Sequence, residues 1–368
     1  MKDFIMNTKT LYYCNYSIGE NPYENVSKIC KRYGKRILLI GGEKALQAGK
    51  ERLHKNLAES ELELIDTVLF GKDCTYHRIH QLAAYARKID ADMIFGMGGG
   101  KALDTAKGAA WEANLPVFTF PTIAATCAAT TALSVVYQDD GNFDSFYYFD
   151  HPAAHCFIDL TIIAQAPLCY LRAGMGDTIG KFFECHFAAR GDKLAHHSAL
   201  GREISNMCYE PLLEYGEQAL SDCLSHRVST ALEQTVLANI ISTGLVSLLV
   251  LDEYNCAIAH SVYYGLVLLP GFEETWLHGN VVAYGVLVQL AVDQKLEEAK
   301  KVKRFLQKLQ IPTTLQEMKI PVNRDYLKDV LTETVSGPDM EHIPYPVTED
   351  MIYRAIEEIE HLHIETKE

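Results

Sequence analysis

The chain has little positive charge to offer a polyanion. Its 34 Lys and Arg against 48 Asp and Glu leave a net charge of −14 over 368 residues. That excludes nucleic acid as the expected partner, and any anionic ligand must be held by a local site rather than by the overall field. None of the ten cysteines (14, 30, 74, 127, 156, 169, 185, 208, 223 and 256) stands in a Cys-x-x-Cys pair. Neither a zinc knuckle nor a dithiol redox pair is therefore indicated. Several of these cysteines fall in apolar helical patterns, where a free thiol packs as a small core residue. Such usage fits a reduced, cytoplasmic compartment. Long apolar runs are also missing. Segment 236–251 is the longest, and Asn239, Ser242, Thr243, Gly244 and Ser247 interrupt it. It reads as a core helix too short to span a bilayer, so no membrane is expected. The opening residues Met1-Lys2-Asp3-Phe4-Ile5-Met6-Asn7 lack a signal peptide's apolar core.

What is present is a globular composition, 48% hydrophobic and 22% charged, in a chain too long for one core. Strands are expected at 36–41, 63–70, 92–97, 116–121 and 155–159, alternating with helices at 44–57, 77–88 and 101–113. Segments 133–138 and 143–149 flank Asp139-Asp140-Gly141-Asn142, a hairpin signal. This βαβ rhythm predicts a parallel sheet with helices on both faces. After Ala164 the periodicity becomes helical: 168–190, 196–209, 210–220, 229–251, 257–269 and 278–293. Shorter helices are expected at 297–309, 314–318, 324–334 and 348–361. The expected division is an α/β domain over 1–164 and an all-helical domain over 165–368, with a small-molecule cleft between them.

Two features carry chemistry. Gly98-Gly99-Gly100-Lys101, followed by Asp104 and Lys107, lies between an apolar strand and an apolar helix. Glycines there allow backbone N–H groups and a helix N-terminus to close on a phosphate, although the spacing is not G-x-G-x-x-G. Asp177, His260 and His278 lie on helix starts or faces. One carboxylate and two imidazoles make a three-ligand set for Zn²⁺ or Fe²⁺ with a position left open. By spacing alone, each histidine reads first as a hydrogen-bonded core residue.

The motifs G-M-G-G-G-K-A-L-D-T-A-K (96–107), P-T-I-A-A-T (121–126), L-S-V-V-Y (133–137), A-G-M-G-D-T (173–178), A-I-A-H (257–260) and H-G-N-V-V-A-Y-G (278–285) extend through both halves. With them the chain resembles the glycerol-dehydrogenase-like branch of the iron-containing alcohol dehydrogenase superfamily. The resemblance implies a Rossmann-like α/β domain followed by an all-α domain, the dehydroquinate-synthase-like plan. It implies metal ligands at Asp177, His260 and His278, and a pyrophosphate turn at Gly98, Gly99, Gly100 and Lys101 with Asp104. Further cofactor contacts fall on Thr122, Ala125, Thr131, Leu133 and Tyr137. The implied reaction is hydride transfer between NAD(P) and a small substrate, helped by zinc or iron, in a homo-oligomer.

Departures from that pattern bear on the substrate. Glycerol dehydrogenases carry a polyol-binding aspartate where this chain has Cys127, and a histidine where it has Tyr263. Asn280-Val281 replaces a Glu-Lys that often follows the second histidine. Lys181, one turn after Asp177, either anchors a substrate carboxylate or pairs with Asp177 or Glu184 across the helix. These positions, with L-Q-I-P-T-T-L (309–315), look like bacterial hydroxycarboxylate dehydrogenases. A 2-oxo or 2-hydroxy acid is accordingly the first expectation for substrate, with glycerol or another alcohol the alternative. A dehydroquinate-synthase-like lyase is a more distant alternative, and it lacks the cluster of Lys and Arg such chemistry needs. At the cofactor end, Gly42 leaves no carboxylate to repel a 2′-phosphate and Lys44 is near, which favours NADPH; Glu43 opposes it.

Overall fold

The computed structural model describes residues 10–364. Six parallel strands form one sheet: β1 (Asn15–Gly19), β2 (Arg36–Gly41), β3 (Glu63–Leu69), β4 (Met93–Gly98), β5 (Val117–Pro121) and β8 (His155–Asp159). Their order is β1-β8-β5-β4-β2-β3. β2, β4 and β5 are apolar along almost their whole length and buried on both faces, as a sheet covered on two sides requires. The longer helices between strands are α1 (Glu43–Leu57), α2 (Tyr76–Lys88) and α3 (Gly100–Ala113); a short helical segment, Val26–Cys30, precedes β2. Strands β6 (Leu133–Tyr137) and β7 (Phe143–Tyr148) pair antiparallel as a separate hairpin.

β2 pairs with β3 on one side and β4 on the other, so successive connections leave in opposite directions. The crevice between the carboxyl ends of β2 and β4 is therefore the topological switch point, where ligands of open α/β sheets bind. Gly42 and the Gly98–Lys101 turn occupy that crevice, and the Gly42 N–H donates to Met97 O at 3.3 Å.

The rest of the chain is helical. Its centre is made by α4 (Leu168–Ala188), α5 (Thr230–Leu249), α6 (Ile258–Leu266) and α7 (His278–Val292). α7 is buried along nearly its whole length and packs against α4 and α6. Glycines set those approaches. A Cβ on Gly176 would stand 2.2 Å from Gly279 O, and one on Gly285 would stand 2.3 Å from Ala259 O. No side chain larger than hydrogen fits at either crossing, so the three helices lie nearly backbone to backbone.

Several expectations require correction. β1 was not anticipated: Asn15-Tyr16-Ser17-Ile18-Gly19 shows no apolar run, because an edge strand needs burial on only part of its surface. Segment 314–318 forms turns rather than a helix. The Glu317 carboxylate takes the Thr313 N–H at 2.6 Å and Glu360 takes the Leu315 N–H at 2.6 Å, replacing helical partners. The helix expected at 324–334 is Lys328–Ser336, and the one expected at 196–209 ends at Ile204 in a 3₁₀ turn. Far from being too short, α5 is 20 residues long and, with a mean hydropathy of 1.4, apolar enough to cross a membrane. Most of it is buried among the other helices, as a core helix is.

Candidate active site

Asp177, on α4, meets His278, the first residue of α7, and His260, on the first turn of α6. Asp177 Oδ1 lies 3.3 Å from His278 Nε2 and 3.7 Å from His260 Nε2. One donor atom from each residue falls within 4.8 Å of the others. The Gly176–Gly279 contact brings two of the three candidate ligands together, because Asp177 follows Gly176 and His278 precedes Gly279. Burial opposes charge on Asp177, yet hydrogen bonds from His260 and His278 hold its carboxyl well below the usual range. A carboxylate and two imidazole Nε2 atoms converging at this spacing suit one divalent zinc or iron ion.

Glu184 completes the set and escaped the sequence reasoning except as a possible partner for Lys181. It is wholly buried; its Oε2 lies 2.5 Å from His260 Nδ1. Its Oε1 accepts the Ala257 and His260 N–H groups, each at 2.8 Å. One carboxylate thus caps α6 and orients the imidazole, leaving Nε2 to face Asp177. Position 184 is seven residues, two helical turns, from Asp177, and that periodicity was the available signal.

Lys181 lies between these two turns, buried, and forms neither of the ion pairs considered for it. Its Nζ donates to Asn255 O at 2.9 Å and Asn255 Oδ1 at 3.1 Å. Burial lowers its pKa, but Cys256, Cys127, Asp177 and Glu184 outweigh that and hold it above the ordinary lysine value. Burial pushes the Cys127 thiol up to about 11, with Asp177 adding and Lys181 opposing, so it is a neutral group beside a cation. Tyr263 donates to Glu273 Oε1 at 2.7 Å, and its ring stands edge-on to His278 at 4.3 Å. Asp339, on the turn Pro338–Met340 beside α6, is a further carboxyl, pushed up to about 6 chiefly by burial.

The glycine turn and α4 both pack against the loop after β5, Gly99 at Ile123 and Gly174 at Ala124. Gly98 has φ +155°, and a Cβ there would approach Ala102 Cβ to 2.8 Å; one on Gly99 would meet Ile123 Cδ1 at 2.6 Å. Gly99 supplies no side-chain cap to α3, so the first N–H groups of that helix remain available to an anion. Both observations fit a dinucleotide pyrophosphate. Lys101 pairs with Asp73 and lies 4.5 Å over the Tyr137 ring.

The other sequence-derived cofactor positions divide in two. Thr122, whose N–H donates to Gly98 O at 3.1 Å, and Ala125 lie on the loop after β5. Asp104, Thr131 and Leu133 instead converge on the buried Lys107. Its Nζ is 2.9 Å from Asp104 Oδ1, 3.0 Å from Thr131 Oγ1, and also bonded to Leu133 O. Asp104 Oδ2 also accepts the Val135 N–H at 3.2 Å. This buried ion pair ties α3 to the hairpin beneath the cofactor crevice.

Comparison with known proteins bears on the fold and the family. Residues 15–159 match the family model of iron-containing alcohol dehydrogenase. The chain is 30% identical to a glycerol dehydrogenase of Escherichia coli O6:H1 over 351 residues, 93% of each protein. It is 34% identical to hydroxycarboxylate dehydrogenase A of Escherichia coli K12 over 328 residues, 88% of this chain and 89% of the relative. The crystal structure of glycerol dehydrogenase from Schizosaccharomyces pombe superposes with a TM-score of 0.87 at 26% identity, covering 97% of this chain and 91% of that one. Matched along nearly its full length by relatives at 30% identity or more, this protein belongs to the iron-containing alcohol dehydrogenase family of oxidoreductases.

Proposed function

We propose that the chain catalyses reversible hydride transfer between a nicotinamide dinucleotide and a small polyol of the glycerol class. The observation carrying this is the convergence of Asp177, His260 and His278, on helices packed through Gly174 against the same loop, at Ala124, that Gly99 of the glycine turn meets at Ile123. Glycerol dehydrogenases predominate among the similar relatives, which supports the polyol over the acid that the sequence departures placed first. Residues 1–164 serve the dinucleotide and 165–368 the metal and substrate.

Asp177, His260 and His278 would hold a zinc or iron ion, which would supply the Lewis acidity that lowers an alcohol's pKa or polarises a carbonyl. Glu184 fixes the His260 tautomer. Gly98, Gly99, Gly100 and Lys101 would hold the pyrophosphate, and Gly42, which presents no carboxylate to a 2′-phosphate, favours NADPH. Thr122, Ala125 and Tyr137 flank the path toward the cleft, while Asp104, Thr131 and Leu133 act through the Lys107 clamp. Cys127 and Tyr263 border the substrate.

One specific observation favours 2-oxo acids as a second reading. Lys181 has three N–H donors and spends two on Asn255, leaving one for a substrate carboxylate next to the neutral Cys127. Kinetics with zinc- or iron-loaded protein decide between them, comparing glycerol and dihydroxyacetone with 2-oxobutanoate. The polyol assignment requires higher kcat/KM for the first pair. Turnover confined to the oxo acid refutes it and supports the Lys181 anchor.

A further inference from the structure

α5 contributes no candidate ligand, yet it is wedged between the two halves of the site. Its middle, Ala238–Ser242, is a π-helical turn, a geometry proteins mostly use as a single local bulge and often near functional sites. Asn239 on that turn is fully buried. Its Oδ1 accepts from Thr178 Oγ1 at 3.1 Å, and Thr178 directly follows Asp177. Its Nδ2 donates to Ala124 O at 3.0 Å, on the loop that carries Thr122, Ala125 and Cys127. The carbonyl of Ala124 can only accept, which fixes the amide orientation and leaves Oδ1 for Thr178. The neighbouring Ile240 O accepts from Thr130 Oγ1 at 2.7 Å, so the same turn holds the far end of the loop. Gly174 closes the joint: a Cβ there would lie 1.9 Å from Ala124 O and 2.5 Å from Asn239 Nδ2.

We propose that Asn239 is a positioning residue that fixes the reach between the dinucleotide-side loop 121–131 and the Asp177 turn of α4, and so the hydride-transfer distance. This rests on the activity proposed above. One side-chain amide bridges the two surfaces whose separation sets that distance. It does so from a buried position where neither bond is exchanged with water. Misplacing reacting groups by about 1 Å costs on the order of 100-fold in rate even when every catalytic group is intact.

Two variants test it on the full-length, metal-loaded protein. Asn239→Leu removes both bonds at similar volume, and Thr178→Val removes only the α4 arm while keeping the shape. The readouts are kcat, dinucleotide Kd, bound metal per chain, melting temperature, and the primary deuterium isotope effect with 4-deuterated reduced nicotinamide. Both variants are expected to retain dinucleotide and metal binding, to lose roughly 10- to 100-fold in kcat, and to show a larger isotope effect than wild type. A merely lowered melting temperature, with wild-type kcat and isotope effect in the variant that folds, overturns the proposal. A wild-type protein that binds dinucleotide and metal but transfers no hydride refutes the activity, and with it this role for Asn239.

Discussion

Glu184 Oε2 lies 2.5 Å from His260 Nδ1 while Glu184 Oε1 accepts the backbone N–H of the same histidine. A single buried carboxylate thus fixes both the main chain and the ring of a candidate ligand. Residues in this relation to a metal-binding histidine typically contribute 10- to 100-fold in metal affinity. Glu184→Ala is expected to weaken zinc binding by roughly that factor, read by competition with a chromophoric chelator. Glu184→Gln, which keeps one acceptor, is expected to lie between Ala and wild type.

The Gly176–Gly279 crossing predicts an intolerant position. A Cβ at Gly279 would lie 1.8 Å from Ala173 O and 3.0 Å from Asp177 Cβ, so α4 and α7 must separate to admit it. Gly279→Ala is expected to cost about 3 kcal/mol or more in denaturant unfolding and to lose bound metal in the same protein.

At the cofactor end, Gly42 has φ −83° and ψ 151° and is the N-cap of α1. Aspartate is a favoured residue at such a position, so Gly42→Asp should fold normally. Its carboxylate would repel a 2′-phosphate and accept ribose hydroxyls. Kinetics with both cofactors are expected to show kcat/KM for NADPH falling about 10-fold relative to NADH, near the 1.4 kcal/mol that one repelled contact represents. An unchanged ratio would remove Gly42 from the adenosine site.

His155, on β8, is buried with its Nε2 2.9 Å from Ser17 Oγ, and burial followed by Arg32 lowers its pKa to about 4. The unfolded chain therefore binds a proton that the folded chain refuses between roughly pH 6.5 and 4. Stability from this residue is complete above pH 6.5 and is lost as pH falls through that window, by about 3 kcal/mol. Urea unfolding of His155→Gln is expected to show a flatter pH dependence there than wild type.

Much of the architecture was legible because it is written in local patterns. The apolar strands with intervening amphipathic helices announced a parallel sheet, and Asp139–Asn142 announced the hairpin. Asp177, His260 and His278 were legible through motif resemblance, and the structure brings their donor atoms together. What escaped depends on tertiary partners. Glu184 looks like any polar residue until α6 packs on it. Asn239 looked like an interruption of an apolar segment, whereas it is a buried bridge. Nothing in the sequence shows that Lys107 turns inward to meet Asp104. The turns at 314–318 depend on Glu360, more than forty residues away.

The most direct test of the central claim is metal-dependent dehydrogenase activity. The protein would be stripped with a strong chelator, dialysed, and assayed for nicotinamide-linked glycerol oxidation before and after titration with zinc or ferrous iron. The predicted result is near-complete loss of kcat on stripping and recovery at one ion per chain, with an Asp177→Asn, His260→Ala, His278→Ala triple variant failing to recover. Full turnover by the metal-free protein would contradict the assignment of Asp177, His260 and His278 as a metal centre.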